Sequence, residues 1–113
     1  MFKLPRPDDT FPTRCVIEIP EGEKTVEAEI VAHFRVIGSK RWRELALKGD
    51  PDLLAAIVAG WDGVYDADGK TPLACNEANI RAAADIPYFS AGLARAYSDR
   101  FSPLKNFRAP PAG

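Results

Sequence analysis

Alternating apolar and polar residues predict a β-hairpin near the beginning of the chain. Every second position from Val26 to Val36 is apolar, through Ala28, Ile30, Ala32 and Phe34. A period of two is typical of a strand with one buried face and one wet face. The β-branched segment 14–19 and the turn residues 20–24 predict an antiparallel partner for this strand. Since an isolated hairpin is marginal in water, helices or another chain should cover its apolar face.

Helical spacing then predicts two segments joined at a glycine. Ser39 is the predicted N-cap of a helix that reaches about Lys48, and Gly49 follows that helix. Asp50 and Pro51 form a second start signal, with Asp as N-cap and Pro in the first turn. An apolar stripe then predicts a core-facing helix of about 10 residues; its members are Leu53, Leu54, Ile57, Val58 and Trp61.

Two further helical segments follow a loop at 62–71 that is rich in Asp and Gly. Asn76 is the predicted cap of the first segment. Asp85 and Pro87 separate it from the last helix. Apolar residues recur on one stripe of that last helix, namely Ile86, Phe89, Leu93, Tyr97 and Phe101.

The order of these elements predicts an α+β fold, with an N-terminal antiparallel hairpin and a small bundle of about four helical segments. Residues 1–13 contain three prolines and are interpreted as an extended arm. Residues 14–101 form the predicted single domain. Residues 102–113 are predicted to be a flexible, Pro-rich tail, in which Phe107 is the large apolar residue nearest the end.

Composition narrows the classes of function. The 113 residues carry a formal net charge of −1, so no overall basic field favours nucleic acid as a partner. The apolar runs are far shorter than the roughly 18 residues of a membrane span, and no secretory signal segment is recognisable. These features predict a cytoplasmic protein. Cys15 and Cys75 are expected to be reduced, although the fold could bring them together as a disulfide.

The residues that could carry chemistry are few and scattered. His33, the single histidine, falls on the wet face of its predicted strand, where a solvated side chain is the simpler interpretation than a catalytic base. Asp66 and Asp68 belong to a DADG segment like part of an EF-hand loop. The first ligand position would then be Val64 and the bidentate acidic position Cys75, which fit neither requirement. We therefore predict no enzyme activity, catalytic residue, metal or cofactor.

Each of two charged clusters has a functional and a purely structural interpretation. Residues 40–43 (KRWR) could touch nucleic acid, but they are also typical of the wet beginning of an amphipathic helix. Glu27 and Glu29 could form a general acid–base pair, but they are also typical of a strand face that stays soluble.

The middle of the chain resembles a known family. Residues 54–64 (LAAIVAGWDGV), followed by 66–73 (DADGKTPL), are similar to the signature of tail assembly chaperones of long-tailed, siphovirus-type phages and prophages. The resemblance extends over roughly residues 25–101. It implies a small protein that binds the tape measure protein, keeps it soluble and helps recruit tail tube protein subunits. It also implies action in the host bacterial cytoplasm and absence from the mature virion.

Five aromatic residues are the candidate protein-binding residues: Trp61, Trp42, Phe89, Tyr97 and Phe101. Trp61 has two interpretations, since it could close the core or stand half exposed as an anchor for a partner. A structural or minor virion protein that forms a stable homo-oligomer is the alternative function. A small enzyme or nucleic-acid regulator is the third.

Overall fold

The computed structural model describes residues 1–101, so the predicted tail at 102–113, with Phe107, lies outside the described residues. A three-stranded antiparallel sheet combines with four helices, which confirms the predicted α+β fold. In chain order the elements are β1 (Phe11–Glu21), β2 (Lys24–Phe34), α1 (Ser39–Lys48), α2 (Asp50–Ile57), β3 (Val58–Asp62), α3 (Glu77–Ala84) and α4 (Pro87–Phe101).

The hairpin is longer at its N-terminal side than the β-branched segment predicted. β1 and β2 pair continuously from Phe11 opposite Phe34 to Glu21 opposite Lys24. Phe11 lies in the strand because its ring meets the ring of Phe101 edge-on, with the centroids 5.6 Å apart. The alternation in β2 is confirmed where the strand meets the core, since Ile30, Ala32 and Phe34 are buried.

The predicted helix through Trp61 is wrong in its second half. α2 ends at Ile57, and the chain continues directly as β3, with Trp61 opposite Ala32 and Gly60 opposite His33. β3 hydrogen-bonds to the edge of β2 that β1 leaves free, from Val31 to Phe34 at the end of that strand.

The helix beginnings are predicted to within one residue. Gly38 and Gly49, rather than Ser39 and Asp50, precede the first turns of α1 and α2. Gly49 has a φ of 127°, a conformation that favours glycine. The carboxylate of Asp50 instead accepts a hydrogen bond from Ser90 Oγ at 3.0 Å. The cap at Asn76 is confirmed, since its side chain accepts from the Asn79 N–H at 2.9 Å.

The last helix covers the apolar side of the hairpin and closes the core. α4 approaches β1 so closely that a Cβ at Gly92 would lie 2.8 Å from the carbonyl oxygen of Val16 and 2.6 Å from Cδ1 of Ile17. Arg95 pairs with Glu18 at 3.2 Å beside this contact. The core between sheet and helices consists of Cys15, Ile17, Ile30, Ala32, Phe34, Leu45, Leu53, Leu54, Ile57, Val58, Trp61, Ile80, Ala84, Phe89, Leu93 and Tyr97.

Gly92→Ala tests the close approach of α4 to β1. Alanine is the better helix former by about 1 kcal/mol, but its Cβ meets strand backbone that cannot move aside cheaply. We expect the free energy of unfolding to fall by about 1–3 kcal/mol, measured by urea denaturation. Gly38→Ala is the control, because no atom lies within 4 Å of a Cβ there. Equal stability of the two variants would contradict the packing at Gly92.

Candidate protein-binding site

An aromatic cluster joins α1, α4 and the sheet. The ring of Trp42 stacks on Tyr97, with centroids 4.6 Å apart and planes 16° apart. Tyr97 also meets Phe101 at 4.9 Å and Phe34 edge-on at 5.4 Å. Such pairs contribute energy beyond the area that they bury. The cluster therefore holds the N-terminal half of α1 against the C-terminal half of α4.

The hydroxyl of Tyr97 fixes the connection between β2 and α1. It accepts a hydrogen bond from the Ile37 N–H at 3.0 Å and donates one to the Ile37 carbonyl at 3.4 Å. Burial raises the pKa of Tyr97, and the hydrogen bond with Ile37 opposes that rise only in part. The neutral phenol is thus both buried and hydrogen-bonded, as a rigid tyrosine requires.

A groove of about 240 Å³ lies over this cluster, between α1 and α4. Its apolar lining comes from Val36, Ile37, Trp42, Tyr97 and Phe101, and its polar rim from Ser39, Arg43 and Ser98. Trp42 and Phe101 are half-buried, so each presents part of its ring to the groove. A half-exposed aromatic lining with a polar rim is typical of a surface that holds an apolar side chain of a partner. We call this surface the aromatic groove.

The five predicted binding residues divide between core and surface. Trp42, Tyr97 and Phe101 come together at the aromatic groove, where Tyr97 is the buried member. Trp61 and Phe89 are buried elsewhere and meet edge-on, with centroids 6.0 Å apart. Because their rings lie inside the protein, this conformation offers no Trp61 or Phe89 surface of any size to a partner.

Sequence reasoning missed Val36 as a surface residue of the groove. It was the last member of the alternating pattern, but the strand ends at Phe34 and Val36 remains 38% exposed. Gly38 and Ser39, which follow Val36, indicate the end of the strand only approximately, since β2 already ends at Phe34. The position of that end decides which apolar residues enter the core.

The signature around Trp61 has a structural role throughout. The indole N–H of Trp61 donates to the carbonyl of Leu73 at 2.8 Å, and the Leu73 N–H donates to Val64 at 2.9 Å. Gly63, with a φ of 91°, turns the chain where a Cβ would lie 3.6 Å from the backbone of β2. These contacts fold residues 61–73 back along themselves, so the signature specifies a folded loop next to the core.

The DADG segment is a hydrogen-bonded turn. The carboxylate of Asp68 accepts from the backbone N–H groups of Lys70 and Thr71, at 2.8 and 2.9 Å, and from the Thr71 hydroxyl at 2.6 Å. These bonds, led by the Thr71 hydroxyl, lower the pKa of Asp68 to about 2. Within residues 1–101, His, Cys, Asp and Glu side chains form no group of three that could hold a metal ion.

His33 and the cysteines lie apart from the aromatic groove. His33 Nε2 is 2.9 Å from a carboxylate oxygen of Asp62, on the sheet face opposite the helices. Cys15 is buried in β1, where burial raises the pKa of its thiol to about 11. Cys75 is half-buried, and burial also raises its pKa against the opposing effect of Arg35. Both cysteines are free thiols, and neither has the lowered pKa of an activated nucleophile.

Comparison with known proteins leaves the resemblance as a sequence observation. No protein-family model, curated protein or solved structure matches the chain. Among the described residues, no helix has the length and apolar character needed to cross a membrane.

Asp68→Ala tests the turn through its acid dependence. The folded-state pKa of about 2 lies below the ordinary 3.8, so Asp68 contributes stability that is present above pH 3.8 and lost as the pH falls towards 2. We expect the alanine variant to be less stable near pH 6, with the difference shrinking across that acid window. Urea midpoints between pH 2 and 6 measure it. Asp66→Ala is the control, and an equal acid dependence of the deficit in both variants would contradict this role.

Paired tryptophan substitutions test the division between core and surface. Trp61→Ala removes a buried ring and its hydrogen bond, and should lower the free energy of unfolding by about 3–5 kcal/mol. Trp42→Ala removes a half-buried stacked ring and should cost about 1–2 kcal/mol. Urea denaturation followed by circular dichroism measures both. A loss at Trp42 as large as that at Trp61 would show that Trp42 belongs to the core.

Proposed function

We propose that the protein is a non-catalytic tail assembly chaperone of a long-tailed phage or prophage. In this role it binds the tape measure protein, keeps it soluble and helps recruit tail tube subunits in the host cytoplasm. The resemblance of residues 54–64 and 66–73 to the chaperone signature supports the class of protein. The observation that carries the proposal is the aromatic groove, which offers apolar binding surface on a rigid support.

The groove suits a long helical client. An amphipathic helix exposes apolar side chains at regular intervals, and a groove of about 240 Å³ has room for such a side chain between Trp42 and Phe101. The ring of Trp42 already rests on Tyr97, so little side-chain entropy is lost when a client binds. Several copies along one client would add their weak contacts into a stable complex.

A stable oligomer is the second candidate, because one sheet face is only partly covered by residues 1–101. The helices pack on the face that carries Ile17 and Phe34. The opposite face presents Val16, which is 40% exposed, and Val31 beside it in the sheet. The Arg14–Glu29 ion pair on that face favours contact with water, which makes it a weaker binding surface than the aromatic groove.

Co-expression with the tape measure protein encoded beside it is the deciding experiment. The wild-type protein should bring the client into the soluble fraction and elute with it in size-exclusion chromatography. Val36→Asp should abolish most of this effect, because it places a charge in the apolar groove. Val26→Asp is the matched control, since Val26 is similarly exposed, at 41% against 38%, but lies at the other end of β2.

The possible outcomes separate the two functions. Loss of client solubility with Val36→Asp alone supports the chaperone and its groove. A client that stays insoluble with the wild-type protein, together with elution of this chain as a stable oligomer, would overturn the chaperone in favour of the structural role. Equal behaviour of both aspartate variants would mean that the client binds to another surface.

A further inference from the structure

A second and larger cleft lies on the other side of α1. It has a volume of about 490 Å³ and opens between α1, α2, α3 and the beginning of β3. Apolar residues, half of them alanine, form its floor: Leu45, Ala55, Ala56, Val58, Ala59 and Ile80. The volume lies within the range of ordinary ligand pockets. The alanines leave depth that larger side chains would fill.

Charged side chains surround this floor, and one of them, Arg81, pairs with both of its acids. The Arg81 guanidinium binds the carboxylate of Asp52 at 2.6 Å and that of Glu77 at 3.0 Å. The hydrogen bond from Arg81 holds the pKa of Asp52 below its usual value, and the charge of Lys48 adds to this effect. Both carboxylates are therefore paired with Arg81.

Three further cations point to a negatively charged ligand. Arg35, Arg41 and Lys48 line the cleft, and none of them forms an ion pair with another residue in the range 1–101. The Arg35 guanidinium is held in place by a hydrogen bond to the Val58 carbonyl at 3.2 Å. With Arg81 the lining has four cations against two carboxylates, an excess of two positive charges in a chain whose net charge is −1.

The form of the cleft favours a peptide over a nucleic acid. No aromatic side chain belongs to its described lining, so bases would have no ring on which to stack. An alanine-rich floor, in contrast, fits aliphatic side chains. Carboxylates that flank such side chains would reach the cations at the rim.

We propose that this cleft is a binding site for an acidic peptide segment of a partner protein, in which carboxylates alternate with aliphatic side chains. We name it the cationic cleft. Arg41 and Lys48 bind the carboxylates at its mouth, Arg35 binds them at its floor, and Ala55 and Ile80 contact the aliphatic groups. The proposal does not depend on the tail assembly role, since the isolated protein is sufficient to test it.

Fluorescence anisotropy with synthetic peptides tests the site. The probe is a fluorescein-labelled peptide of alternating Glu and Leu, with an otherwise identical Gln and Leu peptide and a single-stranded DNA oligonucleotide of equal charge for comparison. The wild-type protein should bind the Glu peptide in preference to both others. The affinity should fall as salt is raised, because exposed charges are screened.

Two double variants locate the binding. Arg41→Ala with Lys48→Ala should weaken the Glu peptide by about tenfold, since two partly exposed ion pairs are lost. Lys24→Ala with Lys40→Ala is the matched control and should change the affinity less than about twofold, because it removes equal charge from residues that line neither the cleft nor the aromatic groove. Ala55→Leu fills the floor without changing charge and should also weaken binding. Circular dichroism confirms that each variant is folded.

Three results would overturn the proposal. Equal losses in the two double variants would mean attraction to the surface cations in general, with no defined site. Equal binding of the Gln peptide would remove the role of the carboxylates. Tighter binding of the oligonucleotide would assign the cations to nucleic acid. Loss of client solubility on Val36→Asp with peptide binding intact would support both sites as separate surfaces.

Discussion

The apolar face of the β1–β2 hairpin must be covered, and α4 covers it at very short range. Two eleven-residue strands expose more apolar surface than a hairpin in water can tolerate. Gly92 allows the helix backbone to reach the strand, and the Arg95–Glu18 pair lies beside that contact. Once α4 is fixed there, Tyr97 lies against Phe34 and can receive the ring of Trp42. The aromatic groove thus depends on the packing of Gly92, which precedes Tyr97 on the same helix.

The same arrangement limits where another chain could add a strand. β2 is central, and β3 pairs with its second edge from Val31 to Phe34. Pro12 and Pro20 in β1 have no N–H to donate, and the Pro12 carbonyl accepts from the Arg100 guanidinium. Prolines and a covering side chain are common ways to protect an edge strand. A partner is therefore more readily bound by side-chain surfaces than by extension of the sheet at β1.

Local pattern was sufficient for the fold class, and failed where a distant contact decided the structure. The strand alternation and the Asn76 cap depend on neighbours in sequence, so both were predictable. The segment from Val58 to Trp61 fits a helical stripe and a short strand equally well. Its conformation was decided by the free edge of β2, which only the folded hairpin creates. Because that edge exists only after the hairpin has folded, no pattern in the sequence indicates it.

The candidate site was predictable only in part, because sequence periodicity does not distinguish buried rings from half-buried ones. Periodicity selects residues that face the core, so a list of aromatic residues on a stripe mixes buried and half-buried rings. Trp61 and Trp42 both lay at helical spacing, but the first is 8% exposed and enclosed by its own loop, whereas the second caps a groove. Which ring reaches the surface depends on how the helices end, and this follows from packing.

α1 differs from the other described elements in its net charge. Its four cations and one carboxylate give +3 in a chain of net charge −1, which leaves −4 for all other residues. Leu45 is its buried residue and Trp42 its half-buried one, so most of the helix projects, with Leu47 90% exposed. The aromatic groove and the cationic cleft lie on opposite sides of it. Because a helix with its side chains is about 10–12 Å wide, one ligand side chain cannot occupy both surfaces. α1 therefore separates an apolar surface from a cationic one, and substitutions can alter either surface without touching the other.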